Sequence, residues 1–187
     1  MSVNINDWKV EDLAFWKEKG SKIATRNILI SIPSLLLAFA VWIMWGIIIT
    51  KMKEFGYNFG MLEGISDALR ADKLKEINSL YYTLPAIAGL AGATLRIPNS
   101  FLIGLAGGRN VIFVTTLLLI IPVVGVGLAL RDINTPYMVF AAMALLSGFG
   151  GGNFASSMSN ISYFFPKRVQ GTSLGFNAGI GNLGVGI

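Results

Sequence analysis

Five apolar stretches, the first four long enough to cross a lipid bilayer, leave this chain few folds to choose from. The first runs from Asn27 to Thr50, 24 residues without a charge, bounded by Arg26 and Lys51. About 20 apolar residues carry a helix across the hydrocarbon. The others run from about 79 to 107, 111 to 130, 135 to 165 and 171 to 187, separated by short polar hinges such as "GGRN" and "RDINT". Inside lipid every backbone amide must find a partner within its own segment or a closed barrel, so runs of this length are helices. A secretory signal is excluded for the first run, because its apolar core would be shorter and would follow a short basic start. The fold class expected is therefore an all-α membrane protein. Its fifth span stops at Ile187 with no polar loop behind it, so the chain reads as the front piece of a longer protein.

Two segments read as lying outside the spans. Residues 1–26 mix Trp8, Phe15 and Trp16 with nine charges between Asp7 and Arg26, the pattern of an interfacial helix. Residues 51–78 carry five basic and five acidic side chains. Within them, apolar positions from Met61 to Ile77 recur at helical spacing, predicting a short amphipathic surface helix in the loop between the first two spans. Lysine and arginine counts set the orientation. With the N-terminus inside, eight basic residues lie on the inner side and six on the outer. The expectation is a multi-pass protein of the cell membrane, in bacteria the inner membrane, with a cytoplasmic N-terminus.

Only 13% of residues are charged, against 53% hydrophobic, and all but one of the 15 basic side chains lie between or before the apolar runs. The net charge of +5 thus reflects topology, not a nucleic-acid surface. The chain has no cysteine and no histidine, so thiolate metal sites, disulfides and imidazole relays are not available to it. No nucleophile, base and metal constellation occurs in the polar segments, so neither an enzyme nor a cofactor is expected.

The exception among the basic residues is Arg96, in "ATLRIPNSF". No Asp or Glu occurs from Ile77 to Leu130. Counted between Leu80 and Ala106, Arg96 lies 10 residues from the nearer end, roughly 15 Å at 1.5 Å per residue. Snorkelling covers only part of that depth. A charge there costs about 3 kcal/mol on insertion scales and on the order of 10 or more in simulations, and arginine cannot shed its proton. Three partners are open to it. One is an acid in a part of the protein beyond this chain; another is a set of helix-end carbonyls; the third is an anion in a water-filled path. The missing carboxylates favour the third, and a planar fork of donors suits a planar oxyanion.

Glycine, serine and asparagine crowd the fourth and fifth runs. "SGFGGGNFASSMSN" (147–160) holds four glycines and four serines, and "GTSLGFNAGIGNLGVGI" (171–187) holds six glycines. Small residues let helix backbones approach where lipid gives no hydrophobic drive, and Gly171, Gly175 and Gly179 fall on one face. In the fifth run Gly181, Gly184 and Gly186 fall elsewhere, so no single face accounts for all six. Such a helix exposes main chain to a small flat ligand and brings Asn177 and Asn182 to membrane depth. A phosphate loop is excluded, since no lysine and no preceding strand accompany the glycines.

Taken together, "ATLRIPNSF", "GGRN", the opening "DWKVEDLAFWKEKGSKIATRN" and the block "GFGGGNFASSMSNISYFFPKRVQGTSLGFNAGIGNLGVG" resemble the nitrate/nitrite porters of the major facilitator superfamily, most closely the bacterial exchangers. The resemblance implies a twelve-helix fold in two six-helix halves, with residues 27–187 an incomplete first half. Its substrate site would lie at the midplane between the halves. It further implies that Arg96 is a substrate-binding arginine, that Phe154 packs against the planar anion, and that "NAGIGNLGVG" is the nitrate signature. Asn182 would be the asparagine of that signature, with Asn177, Gly179 and Gly181 beside it. The implied partners are nitrate, nitrite, the lipid bilayer and the remaining C-terminal half. The implied function is nitrate/nitrite exchange by alternating access; proton-coupled symport of nitrate or another small anion is the alternative, and an anion channel a further one. "IGLAGGRN" is a reduced form of the superfamily's acidic–basic loop motif, which implies that loop gating uses other pairs.

Overall fold

A computed structural model of the chain describes residues 8–186. Residues 1–7 of the expected interfacial segment 1–26 and the last residue of the fifth run, Ile187, lie outside the described residues. Among those described, every regular element is helical. Four helices are long and apolar enough to cross a membrane: α1 (Leu13–Glu54), α2 (Asp67–Ala106), α3 (Gly108–Ala129) and α4 (Tyr137–Phe164). A shorter α5 (Lys167–Gly181) follows and tightens into a 3-10 turn at Asn182–Val185. With 15 residues, α5 falls short of the roughly 20 that a straight crossing takes.

The boundary expected at Arg26 is absent. The segment read as a separate interfacial helix forms the first turns of α1, which at 42 residues is about 60 Å long, twice the hydrocarbon thickness. Charged side chains at an interface do not stop a helix; only loss of its hydrogen bonds does. Irregularities nevertheless mark α1, a wider π turn at Trp16–Gly20 and a break at Met44. The helix begins after Asp12, whose Oδ1 accepts from the amides of Ala14 (2.8 Å) and Phe15 (3.4 Å). Asp12→Ala is expected to cost about 1 kcal/mol, and amide exchange at Ala14 and Phe15 should quicken while the rest of α1 stays protected. The preceding residues tie this end to the α4–α5 corner. Trp8 Nε1 donates to the Tyr163 carbonyl (3.1 Å), and Glu11 Oε1 accepts from the Lys167 amide (2.9 Å).

The expected surface helix from Met61 to Ile77 is likewise not separate. Helix starts only at Asp67 and continues unbroken into the second span as α2. Gly60 and Gly64, at φ of 72° and 70°, turn the chain through the left-handed region and so exclude helix before that point. Phe59, also left-handed at φ 57°, is buried against the rings of Tyr81, Tyr137 and Phe140. Tyr57 donates to the Leu130 carbonyl and Tyr81 to that of Tyr57, so this loop is fastened across the end of the bundle.

The centre of the bundle is α4, which packs on all four other helices. Its buried residues are mostly small or polar, Gly148 and Gly150 to Asn153 among them. A Cβ added at Gly148 would lie 2.5 Å from that of Ala91, and one at Gly152 2.9 Å from that of Leu95, so α2 and α4 touch backbone to backbone. The packing reading of the fourth run's glycines therefore holds. Gly171, Gly175 and Gly179 pack on none of the described helices: a Cβ at any of them meets nothing within 4 Å, so this face of α5 turns away from them. Gly181 and Gly184 are the glycines that seat the end of α5. An added Cβ would strike Leu35 at the first and the Leu36 carbonyl at the second, both on α1.

Candidate functional site

Two apolar clusters close the ends of the bundle, one around Trp45, Met52, Leu84 and Phe140, the other around Ala24, Ile28, Ile161 and Phe165. At levels of α1 and α4 between them, polar side chains bridge the helices. Ser34 meets Thr116 at 2.7 Å, Thr115 donates to Asn153 Oδ1 at 2.6 Å, and Asn153 Nδ2 donates to Thr116 at 3.0 Å. Each joins groups that lipid could not solvate, which fixes the relative rotation of α1, α3 and α4.

Arg96 reaches from α2 toward α4 in the same middle zone and is half-buried. Its Nε donates to the Gly151 carbonyl at 3.2 Å. That carbonyl is within reach because Gly151 has no side chain and α4 lies close; the nearby carbonyl of Thr94, freed by Pro98, is not the one used. The guanidinium carbon lies 5.2 Å from the Phe154 ring centroid and 5.5 Å from that of Trp42. Phe39 joins the two rings, nearly parallel to Phe154 at 5.8 Å and tilted by 34° to Trp42 at the same separation. Three aromatic side chains from α1 and α4 thus form a wall beside the cation.

No acid answers it. Among the described residues the four salt bridges are Lys19–Glu18, Lys51–Glu54, Lys73–Glu76 and Lys75–Asp72, all on exposed side chains. Nor do the two terminal nitrogens of Arg96 donate to any described residue; Nε alone is bonded. A hydrogen bond to a carbonyl contributes about 1 kcal/mol net, and each ring face about 0.5–2 kcal/mol. These are of the size of the insertion cost of a buried arginine. They make an unpaired guanidinium tolerable at this depth and leave its full charge and both outer donors available.

The other expected site residues divide. Phe154 joins Arg96, as described. Asn177 is fully buried, donates to Ser157 Oγ at 2.8 Å and leaves its Oδ1 without a partner. Gly181 is buried against Leu35. Asn182 is exposed, and its amide donates back to the Ala178 carbonyl at 2.9 Å. Gly179 is exposed with open space in front of it. None of these four residues hydrogen-bonds to Arg96, so among the described residues the site is one-sided: a cation and an aromatic wall. No cluster of three or more metal-ligating side chains occurs among the described residues. Sequence reasoning missed Trp42 and Phe39. The signal available for them was aromatic side chains in a span facing one that holds an unpaired arginine.

The family profile of the Major Facilitator Superfamily matches residues 9–187. The chain is 44% identical, over 98% of its length, to the nitrate/nitrite transporter NarU of Escherichia coli K12, of which it covers 36%. It is 38% identical, again over 98% of its length, to the probable nitrate/nitrite antiporter NarK2 of Thermus thermophilus, covering 37% of that protein. To the probable nitrate transporter NarT of Staphylococcus aureus MRSA252 it is 31% identical over 54% of its length, covering 25% of that protein. The chain thus spans little more than a third of the length of the first of these relatives.

Proposed function

Because the chain belongs to the Major Facilitator Superfamily, and is accordingly an all-α multi-pass membrane protein, we propose that it is the N-terminal part of a secondary transporter that exchanges nitrate for nitrite by alternating access. The observation that carries this reading is the state of Arg96: half-buried beside Phe154 and, among the described residues, bonded only through Nε, with both outer nitrogens open and no carboxylate paired to it. Two parallel donors in a plane suit two oxygens of a planar trigonal anion, and an aromatic face beside them accepts its flat side. The names of its relatives, nitrate/nitrite transporters and a nitrate/nitrite antiporter, support the same substrate.

In this reading Asn182 and Gly179, on the open part of α5, form the second side of the site, with the Asn182 amide turning from the Ala178 carbonyl to the anion. Asn177 and Gly181 stand behind them and seat α5 against α4 and α1. The C-terminal half of the full-length protein supplies the opposing wall. The bias in basic residues, eight against six, supports an N-terminus in the cytoplasm, in bacteria beneath the inner membrane.

Exchange follows from the electrostatics. A fixed cation in a low-dielectric site is costly to leave empty, so one anion departs most readily when another replaces it. The full-length protein in proteoliposomes should take up nitrate several-fold faster when the vesicles are loaded with nitrite than when they are empty. Equal rates with uptake driven by a pH gradient would instead make it a symporter, and an ohmic current without trans-stimulation would make it a channel.

A further inference from the structure

Trp42, on α1, is closely held near the site by groups from two other helices, α2 and α4. Its Nε1 donates to the Ala88 carbonyl of α2 at 2.7 Å. Its ring lies where a Cβ of either of two glycines would have to be: a Cβ at Gly92 would sit 2.6 Å from Nε1, and one at Gly151 2.7 Å from Cε2. On α4, a Cβ at Gly150 would press on Trp42 Cβ at 3.1 Å. Two of the close-packed glycines of α4, and the one of α2 facing them, therefore make a seat for the Trp42 side chain as well as a helix contact.

The seat has a chemical consequence because of what lies on the indole. The Arg96 guanidinium is over the Trp42 ring, and the same Gly151 that leaves room for the ring offers its carbonyl to Arg96 Nε. Another side of Trp42 borders a cavity of about 200 Å³ lined also by Ile43, Trp45, Gly46, Pro85 and Gly89. Packing on that side does not push the ring onto Arg96. The hydrogen bond to Ala88 is what keeps the indole from turning into the space.

We infer that Trp42 is the positioning residue of the anion site: the indole, hydrogen-bonded to Ala88 and seated on Gly92 and Gly151, supports the guanidinium of Arg96 in the orientation that points its two free nitrogens at a planar anion. The proposal rests on the reading of Arg96 as the anion-binding group and goes beyond it by naming what holds that group before the anion arrives. Trp42 does not need to touch the anion. Without it, Arg96 keeps its charge and loses its aim, since one bond from Nε leaves the fork free to rock about that axis.

The test uses the full-length protein in proteoliposomes, with nitrate as the probe, and reads half-saturation and maximal counterflow separately. Trp42→Leu removes both ring face and N–H; half-saturation should rise on the order of tenfold, the worth of one cation–ring contact, with the maximal rate within about threefold of native. Trp42→Phe keeps a ring and loses the N–H, and should lie between, about threefold above native. Half-saturation within twofold of native for Leu, or Phe as impaired as Leu, overturns the proposal. If the Leu variant does not fold, Phe decides alone: an unchanged half-saturation overturns it. Arg96→Lys run alongside separates the two claims. Abolished transport there with a normal Trp42→Leu defeats only the positioning role, whereas normal transport by Arg96→Lys defeats the anion-site reading and this proposal together.

Discussion

Replacing Arg96 by lysine in the full-length protein is expected to lower nitrate affinity ten- to 150-fold. Lysine keeps the charge and reaches the same region, so electrostatic attraction alone would leave transport nearly intact. What it loses is geometry. An ammonium offers one point charge where the guanidinium offers two parallel donors to two oxygens. A hydrogen bond to a charged group contributes roughly 1.5–3 kcal/mol, and each 1.4 kcal/mol is a decade in affinity. Lysine also has no second nitrogen, so the Gly151 carbonyl and the anion would have to share the donors of one ammonium, which cannot meet both in the spread-out planar geometry of the guanidinium. Arg96→Leu should abolish exchange altogether while leaving the melting temperature in detergent unchanged or raised. The leucine removes a charge whose burial is costly, and the Gly151 carbonyl can still accept its own helical amide. A variant that is more stable and inactive would mark Arg96 as held for function against stability. A variant that unfolds would mark it as a strut between α2 and α4, and normal counterflow by the lysine variant would remove it from the site.

The parts of this architecture that could be read in advance are those with a local physical signature. Spans announce themselves because lipid demands a long apolar run, and Arg96 because a charge in oil is anomalous wherever it points. The continuity of α1 through Lys17, Lys19, Lys22 and Arg26, and of α2 through Asp67 to Glu76, was hidden. A charge run marks where a segment leaves lipid, and a helix can leave lipid without ending. The fifth helix shows a different limit. A stripe at Gly171, Gly175 and Gly179 says that one face is bare, and only the neighbours decide whether that face is packed or open; here it is open among the described residues. Trp42 and Phe39 carry no local signature, for the opposite reason. In a run such as "LLLAFAVWIMW" an aromatic residue breaks no pattern, and its role comes entirely from what α2 and α4 bring beside it.

The largest structural effect should come from the smallest change, Gly150→Ala. A methyl there would lie well inside van der Waals contact of the Ala38 carbonyl and 3.1 Å from Trp42 Cβ. The first of these neighbours is backbone in the middle of α1, so no rotamer change relieves it; α1 and α4 must move apart. Overpacking of this kind typically costs 1–3 kcal/mol, and here it opens the seam that also seats Trp42 and aims the Gly151 carbonyl. Gly89→Ala on α2 is the matched control, since its Cβ would meet nothing within 4 Å. It should be neutral or gain up to about 1 kcal/mol from alanine's higher helix propensity. Thermal unfolding of both full-length variants in one detergent checks the difference, and nitrate counterflow checks its consequence. Gly150→Ala should lose both stability and transport, Gly89→Ala neither. If Gly150→Ala melts with the native protein, then α1 and α4 do not touch at this point. The wall of Phe39, Trp42 and Phe154 beside Arg96 would then have to be assembled in some other way.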